Sequence, residues 1–179
     1  MKASLGYSMI EIMIVIAIIG IVLAIALPNG AQFITNSRMT SQANDIVGDV
    51  LLARSEAASR GVTVSICPSA APNAAAPACS AAAADWGTGR IIFSDSNSNG
   101  VIDAGETVLK VTQVTGNSTL SAPAVTNLVS IGFSAFGGVS ANTIRGSVTF
   151  KLCPPSFPTG RQIAINVNGR PSVTRINCP

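Results

Sequence analysis

The stretch that decides the reading is Leu5-Gly6-Tyr7-Ser8-Met9-Ile10-Glu11-Ile12-Met13-Ile14-Val15. It opens an apolar run from Met9 to Leu27, in which Glu11 is the only charged or strongly polar side chain. A run of that length is a marginal single membrane span. A lone carboxylate at membrane depth costs about 2.5 kcal/mol or more, so such a group usually has a partner and a task. The six residues ahead, Met1-Lys2-Ala3-Ser4-Leu5-Gly6, carry one cation. An ordinary secretory signal has a longer leader and places its small-residue cleavage site after the apolar core. Here the small residue at a plausible boundary is Gly6, ahead of the core. Cutting there retains the apolar segment. Lys2 favours a cytoplasmic N-terminus and an exported C-terminus.

Downstream, Pro28 is placed to end or kink a helix. Helical periodicity then resumes, with Phe33, Ala43, Ile46, Val47, Val50, Ala53 and Ala57 recurring at three- and four-residue steps between polar residues. The pattern predicts an amphipathic helix to about Arg60, with Gly61 as its stop. One helix of about fifty residues is expected, with a domain packed against its far end. Past Gly61 the period changes to that of strands: 62–66, 90–94, 107–111, 128–133, 147–152, 163–167 and 172–176, each bounded by Gly, Asn or Pro. Asn168-Gly169 between the last two predicts a C-terminal hairpin with a tight turn. Residues 68–84 are a low-complexity Ala/Pro loop pinned by Cys79, and Trp86, the sole tryptophan, reads as a packing anchor for the first hairpin.

The chain has 179 residues, few aromatics, sparse charge and no histidine. The commonest general base and metal ligand is therefore missing. No activated cysteine pair, Gly-rich phosphate loop or paired-carboxylate cleft emerges either, so the pattern does not describe an enzyme. Cys67, Cys79, Cys153 and Cys178 all follow the apolar segment and form no CxxC pair. Two disulfides in an oxidising compartment are the better reading than a zinc site. Three connectivities are open; the simplest joins Cys67 to Cys79 and Cys153 to Cys178. All eight acids lie at or before Glu106, while Lys110, Arg145, Lys151, Arg161, Arg170 and Arg175 follow it unbalanced. A one-signed region can attract phosphate, anionic lipid or an acidic neighbour, or simply keep a low-charge domain soluble.

Gly6-Tyr7, then Ser8-Met9-Ile10-Glu11-Ile12-Met13, the apolar run and Pro28 together resemble the N-terminus of the type IV pilin family, which includes the pseudopilins of type II secretion. The resemblance implies cleavage after Gly6 by a prepilin peptidase and methylation of the new amine on Tyr7. It implies residence in the inner membrane with a periplasmic C-terminal domain, then extraction into an extracellular pilus filament. It also gives Glu11, the fifth residue of the mature chain, a partner: the N-terminal amine of a neighbouring subunit. Removing one member of such a buried pair leaves an uncompensated charge. Arg54-Ser55-Glu56-Ala57, Ser65-Ile66-Cys67-Pro68-Ser69, the run from Trp86 to Asp95, and Gly169-Arg170 with Cys178 are similar to the GspH/FimT branch of minor pilins.

That resemblance implies an α+β chain with the type IV pilin fold: a long N-terminal α-helix, half membrane-embedded and half amphipathic, packed on a mainly antiparallel β-sheet domain. The implied divisions are a leader at 1–6, a membrane or filament-core helix at 7–28, its amphipathic continuation at 29–60 and a periplasmic β-rich domain at 61–179. The implied role is a structural minor pilin near the pilus tip that primes assembly, with other minor pilins and the major pilin as partners. A type II secretion pseudopilin is the same architecture in another machine. Some FimT-like pilins bind DNA in natural transformation through a C-terminal Gly-Arg-x-Arg motif. Here Gly169-Arg170-Pro171-Ser172 lacks the second arginine, which leaves Lys151, Arg161, Arg170 and Arg175 as a candidate DNA patch. Finally, Asp95-Ser96-Asn97-Ser98-Asn99-Gly100-Val101-Ile102-Asp103-Ala104-Gly105-Glu106 matches a calcium-loop pattern, with Asp95, Asn97, Asn99, Asp103 and Glu106 as candidate calcium ligands. Its strand-like flanks suit a polar hairpin loop equally well.

Overall fold

The structure is a computed structural model that describes residues 6–114, 120–121, 129–140, 147–155 and 157–178, the side chains of 25–31, 83–84 and 121 excepted. Arg145, Leu128 and the leader positions 1–5 lie outside the described residues. Contacts divide the chain into two units, Met1–Arg38 and Met39–Pro179.

The first element is α1, Met9–Arg60, of 52 residues. Ser8 starts it, its carbonyl accepting from the amides of Glu11 and Ile12. The helix does not end at Pro28, because α1 includes that position. In the first unit, the side chains from Met9 to Leu23 are exposed. Among the described residues no helix is long and apolar enough to cross a membrane. The described side chains of the apolar run stop at Ala24, short of its end at Leu27.

In the second unit α1 becomes one-sided. Met39, Ala43, Ile46, Val50, Ala53 and Ala57 are buried at three- and four-residue steps, which places them on a single stripe. Phe33, expected on that stripe, is instead 74% exposed and belongs to the first unit. Gly61 ends the helix at φ +70°, a left-handed conformation that glycine adopts without a Cβ penalty.

Among the described residues eight strands follow: β1 Thr63–Pro68, β2 Gly89–Asp95, β3 Val108–Gln113, β4 Leu120–Ser121, β5 Ile131–Phe133, β6 Val148–Leu152, β7 Thr159–Ile165 and β8 Pro171–Asn177. They form two four-stranded antiparallel sheets, in the orders β3-β2-β1-β5 and β4-β6-β7-β8. One face of each sheet meets the α1 stripe in a common core, to which the sheets contribute Val64, Ile66, Ile92, Phe133, Phe150, Leu152, Ile163 and Ile165. Strand alternation explains why Ile92 enters that core while Ile91 and Phe93 do not. Those two pack on the other face of the first sheet with Cys67, under Cys79, Ile102 and Val108. Trp86 lies in a short 3-10 turn, Ala83–Gly87, that precedes β2. It is an anchor as expected, but of the whole core rather than one hairpin. It meets Phe150 of the second sheet edge-on at 5.1 Å.

The C-terminal hairpin pairs β7 with β8 from Ile165↔Pro171 to Thr159↔Asn177. Its turn is one residue longer than the Asn-Gly pair alone suggests. The Gly169 amide donates to the Asn166 carbonyl at 2.8 Å, and Gly169 takes φ +70°. This is a type I turn closed by a left-handed glycine.

Candidate functional site

The residues singled out at the N-terminus sit together at the start of α1. Gly6 and Tyr7 precede the helix and are exposed, Tyr7 by 80%, and Glu11 is exposed in the first helical turn. A carboxylate there is favourably placed against the positive end of the helix dipole. Among the described residues Glu11 takes part in no ion pair. The segment thus presents an accessible glycine, an aromatic and an acid followed by bare apolar surface.

The head contains a second carboxylate that the sequence reading did not single out. Asp49 is buried on the core stripe of α1. Its Oδ2 accepts from Arg90 Nε at 2.8 Å, and its Oδ1 from Lys110 Nζ at 2.7 Å and Thr112 Oγ1 at 3.2 Å. Arg90 is itself buried, while Lys110 is half-exposed. The helix is thereby tied to β2 and β3 by a charge with three donors. Lys110, counted above among unbalanced cations, is balanced from the helix. The available signal was spacing: Asp49 falls between Ile46 and Val50 on the buried stripe, where a charge requires a cationic partner.

Arg54 makes a comparable tie on the other side of the head. Its Nε donates to the Gly137 carbonyl at 2.9 Å. A Cβ on Gly169 would collide with that same carbonyl and crowd Arg54 Nε. The amide of Val139 donates to the Val167 carbonyl at 3.0 Å. Helix, 134–138 turn and C-terminal hairpin turn therefore meet at one point, held by an arginine and two glycines. The patches around Arg54 and Gly169, distant in sequence, are two halves of one junction.

Two disulfides staple the domain, Cys67–Cys79 and Cys153–Cys178. The first closes the 68–79 loop over Ile91 and Phe93. The second runs from the end of β6 to the end of β8, passing Gly160 of β7, where a Cβ would strike both sulfurs.

The residues of the candidate calcium loop are joined by hydrogen bonds among themselves and to Ser65. Asp95 is fully buried; its carboxylate accepts from Ser65 Oγ at 2.6 Å and from the amides of Asn99 and Gly100. Glu106 accepts from the amides of Ser96 and Asp103. Asp103 Oδ2 accepts from the side-chain amides of Asn97 and Asn99, at 2.8 and 2.7 Å. Those two donors hold the Asp103 carboxyl below the usual aspartate range. Among the described residues no group of three acidic, His or Cys side chains could hold a metal ion. Asn97 and Asn99 aim donors at Asp103, so its Oδ2 is engaged within the loop. The loop also seats Ile102 on the smaller core cluster.

The four candidate DNA cations are not gathered. Arg161 and Arg175 are directly opposed on β7 and β8. Lys151 is opposite Gln162, hence on the other face of the sheet. Arg170 lies at the hairpin turn, the far end of both strands from Arg161 and Arg175. Two cavities at the core measure about 10 Å³, and an open groove of about 350 Å³ beside Leu51, Arg54 and Phe136 is lined by no acid.

Residues 42–169 match the model of the family described as type II transport protein GspH, and residues 1–27 match the prokaryotic N-terminal methylation motif. The chain belongs to the GspH family. The fold agrees with crystal structures of the type IV minor pilin FimU of Pseudomonas aeruginosa strain PAO1. One crystal form aligns with TM-score 0.55 at 23% identity, over 79% of this chain and 92% of that one. Another gives 0.52 at 23%, over 75% and 91%. No curated protein matches the chain. A long N-terminal helix whose second half packs on antiparallel sheet is thus the type IV pilin fold, as the sequence resemblance implied. Membership in the GspH family spans the Asp49 and Arg54 ties, which join helix to sheet within the matched region.

Proposed function

We propose that the chain is a structural minor pilin of a type IV pilus, placed at or near the filament tip and priming its assembly. Processing would cut after Gly6 and methylate the amine of Tyr7. Residues 7–28 would hold the chain in the inner membrane, with the head in the periplasm, until the subunit passes into the extracellular filament. Its partners would be the prepilin peptidase, other minor pilins and the major pilin. The observation that carries this reading is the exposed start of α1. A stapled head follows a helix whose apolar side chains from Met9 to Leu23 find no cover in their own unit, and Glu11 there awaits a cation from another chain. Burial of that surface supplies the driving force for assembly at about 25 cal/mol per Å².

The matched family description favours a second reading, a pseudopilin of type II secretion. Both are tested by deleting the gene in the source bacterium and complementing with the natural chain or Glu11→Ala. The pilus reading expects pili to vanish on deletion, return with the natural chain and stay absent with Glu11→Ala. Loss of protein secretion with normal piliation would transfer the chain to the secretion machine. Normal piliation and secretion in the Glu11→Ala strain would sink both. Mass spectrometry of the mature chain checks the cut after Gly6 and the added methyl group.

A further inference from the structure

We propose that the free edge of β8 is a docking site for an extended, acidic strand of another protein. Among the described residues β8 is the terminal strand of the second sheet, and five of its seven residues are exposed. The phase of its hydrogen bonding is set at both ends. The Asn166 amide donates to the Arg170 carbonyl, and the Cys178 amide donates to the Pro158 carbonyl. Bonds to β7 therefore fall at the even-numbered residues of β8, and the backbone groups of Pro171, Val173, Arg175 and Asn177 point away from the sheet. Three outward amides and four outward carbonyls make a row that a further strand can pair with. Pro171 is the residue without a donor and sits at the first position, where it does not interrupt the row.

This edge is held ready. The Cys153–Cys178 disulfide ties the end of β8 to the end of β6 across β7, and Gly169 closes the turn at the other end. Strand addition to a pre-ordered edge loses less entropy on binding.

The partner's chemistry follows from the face that the outward residues share. Arg175 stands directly opposite Arg161, an arrangement of like charges that is destabilising by itself. Among the described residues neither takes part in an ion pair, and no acid occurs in the sequence after Glu106. Val173, two residues away on the same face, is 42% exposed. An incoming strand that places a carboxylate opposite Arg175 and an aliphatic residue opposite Val173 satisfies both. The pattern is acid-x-aliphatic along the partner. This argument rests on the head's geometry and stands whether the machine is a pilus or a secretion system.

The test uses the full chain in detergent micelles and hydrogen exchange read by mass spectrometry. The probe is the peptide acetyl-Thr-Glu-Thr-Val-Thr-Glu-Thr-amide, whose symmetry permits either strand direction, with a version carrying Gln for both Glu as control. Millimolar acidic peptide should slow exchange in the fragment holding β8. The Gln version should bind about threefold to tenfold more weakly, as loss of cross-strand charge pairs implies. Val173→Pro removes an outward donor while sparing the bonds to β7, and should abolish the effect. Arg175→Glu should weaken it without disturbing Trp86 fluorescence. If Val173→Pro perturbs the head, Arg175→Glu and the Gln peptide still decide. No slowing, equal slowing by both peptides, or slowing that survives in Val173→Pro overturns the proposal. So does protection of this fragment by a DNA duplex where the acidic peptide gives none.

Discussion

Glu11 and Asp49 lie on the same helix, each set in an apolar row. At Glu11 the neighbouring side chains are exposed and no cation is at hand among the described residues. At Asp49 the neighbours are core, and Arg90, Lys110 and Thr112 converge on the two carboxylate oxygens. One region carries hydrophobicity that its own unit leaves uncovered; the other uses a smaller amount to bind helix to sheet. Apolar content alone does not distinguish these uses. The distinction comes from the strands of the second unit, which supply Asp49 with a buried arginine.

The comparison breaks most sharply under substitution of the two acids. Asp49→Ala leaves Arg90 buried without its counter-charge, and removal of one partner of such a pair costs about 3–5 kcal/mol. Glu11→Ala should leave head stability unchanged. Urea unfolding followed by Trp86 fluorescence measures both, because the sole tryptophan is buried in the head core. Equal midpoints for the natural chain and Asp49→Ala would refute the clamp. A large shift with Glu11→Ala would refute the division of labour along α1.

The next effect concerns how the head is closed. Replacing Cys153 and Cys178 by serine frees the end of β8 and should cost about 2–4 kcal/mol in the same assay. Loss should concentrate in β7 and β8, read by hydrogen exchange. Uniform loss across both sheets would mean that the staple acts on the whole domain rather than on this hairpin. A smaller loss is expected from Gly169→Ala, about 1–3 kcal/mol, because a side chain is strained at positive φ and here meets the Gly137 carbonyl. Alanine at Gly138, which is not at positive φ, serves as the control, and equal midpoints for the two variants would remove the junction argument.

The asymmetry between the two regions also explains what was legible in the sequence. Period and punctuation revealed α1, its stop at Gly61 and most of the longer strands, because those signals are local. The strand β7 was legible only at 163–165, because Thr159, Gly160, Arg161 and Gln162 carry no strand-like apolar pattern. The cysteine pairing emerged as the simplest of three. Asp49 was overlooked because its partners lie at Arg90, Lys110 and Thr112, and long-range pairing has no local signature. Lys151, Arg161, Arg170 and Arg175 form one patch in the sequence reading, but strand alternation and the hairpin divide them between two faces and two ends of a sheet. The Asp95–Glu106 loop shows the converse problem. Its residue types suit calcium, yet the same oxygens serve equally well as acceptors for backbone and side-chain amides.

The weakest expected effect lies in that loop, and pH is the variable that isolates it. Asn97 and Asn99 donate to the ionised Asp103 and depress its pKa. A carboxylate depressed on folding stabilises the folded state above its unfolded pKa, about 3.9 for aspartate, and loses that contribution as pH falls through the folded value. Stability therefore declines only at acid pH on this account, and Asp103→Ala should flatten that part of the profile while changing little at neutrality. The side-chain amide signals of Asn97 and Asn99 report the same event in a two-dimensional NMR titration. They should move together, with a midpoint below that of an unperturbed aspartate. Independent midpoints, or one at the ordinary aspartate value, would show that Asp103 does not organise the loop. Added calcium provides the matching control. A loop whose carboxylates are already engaged by amides should show the same titration with and without it, whereas a cation bound there would compete with protons and shift the midpoint further down.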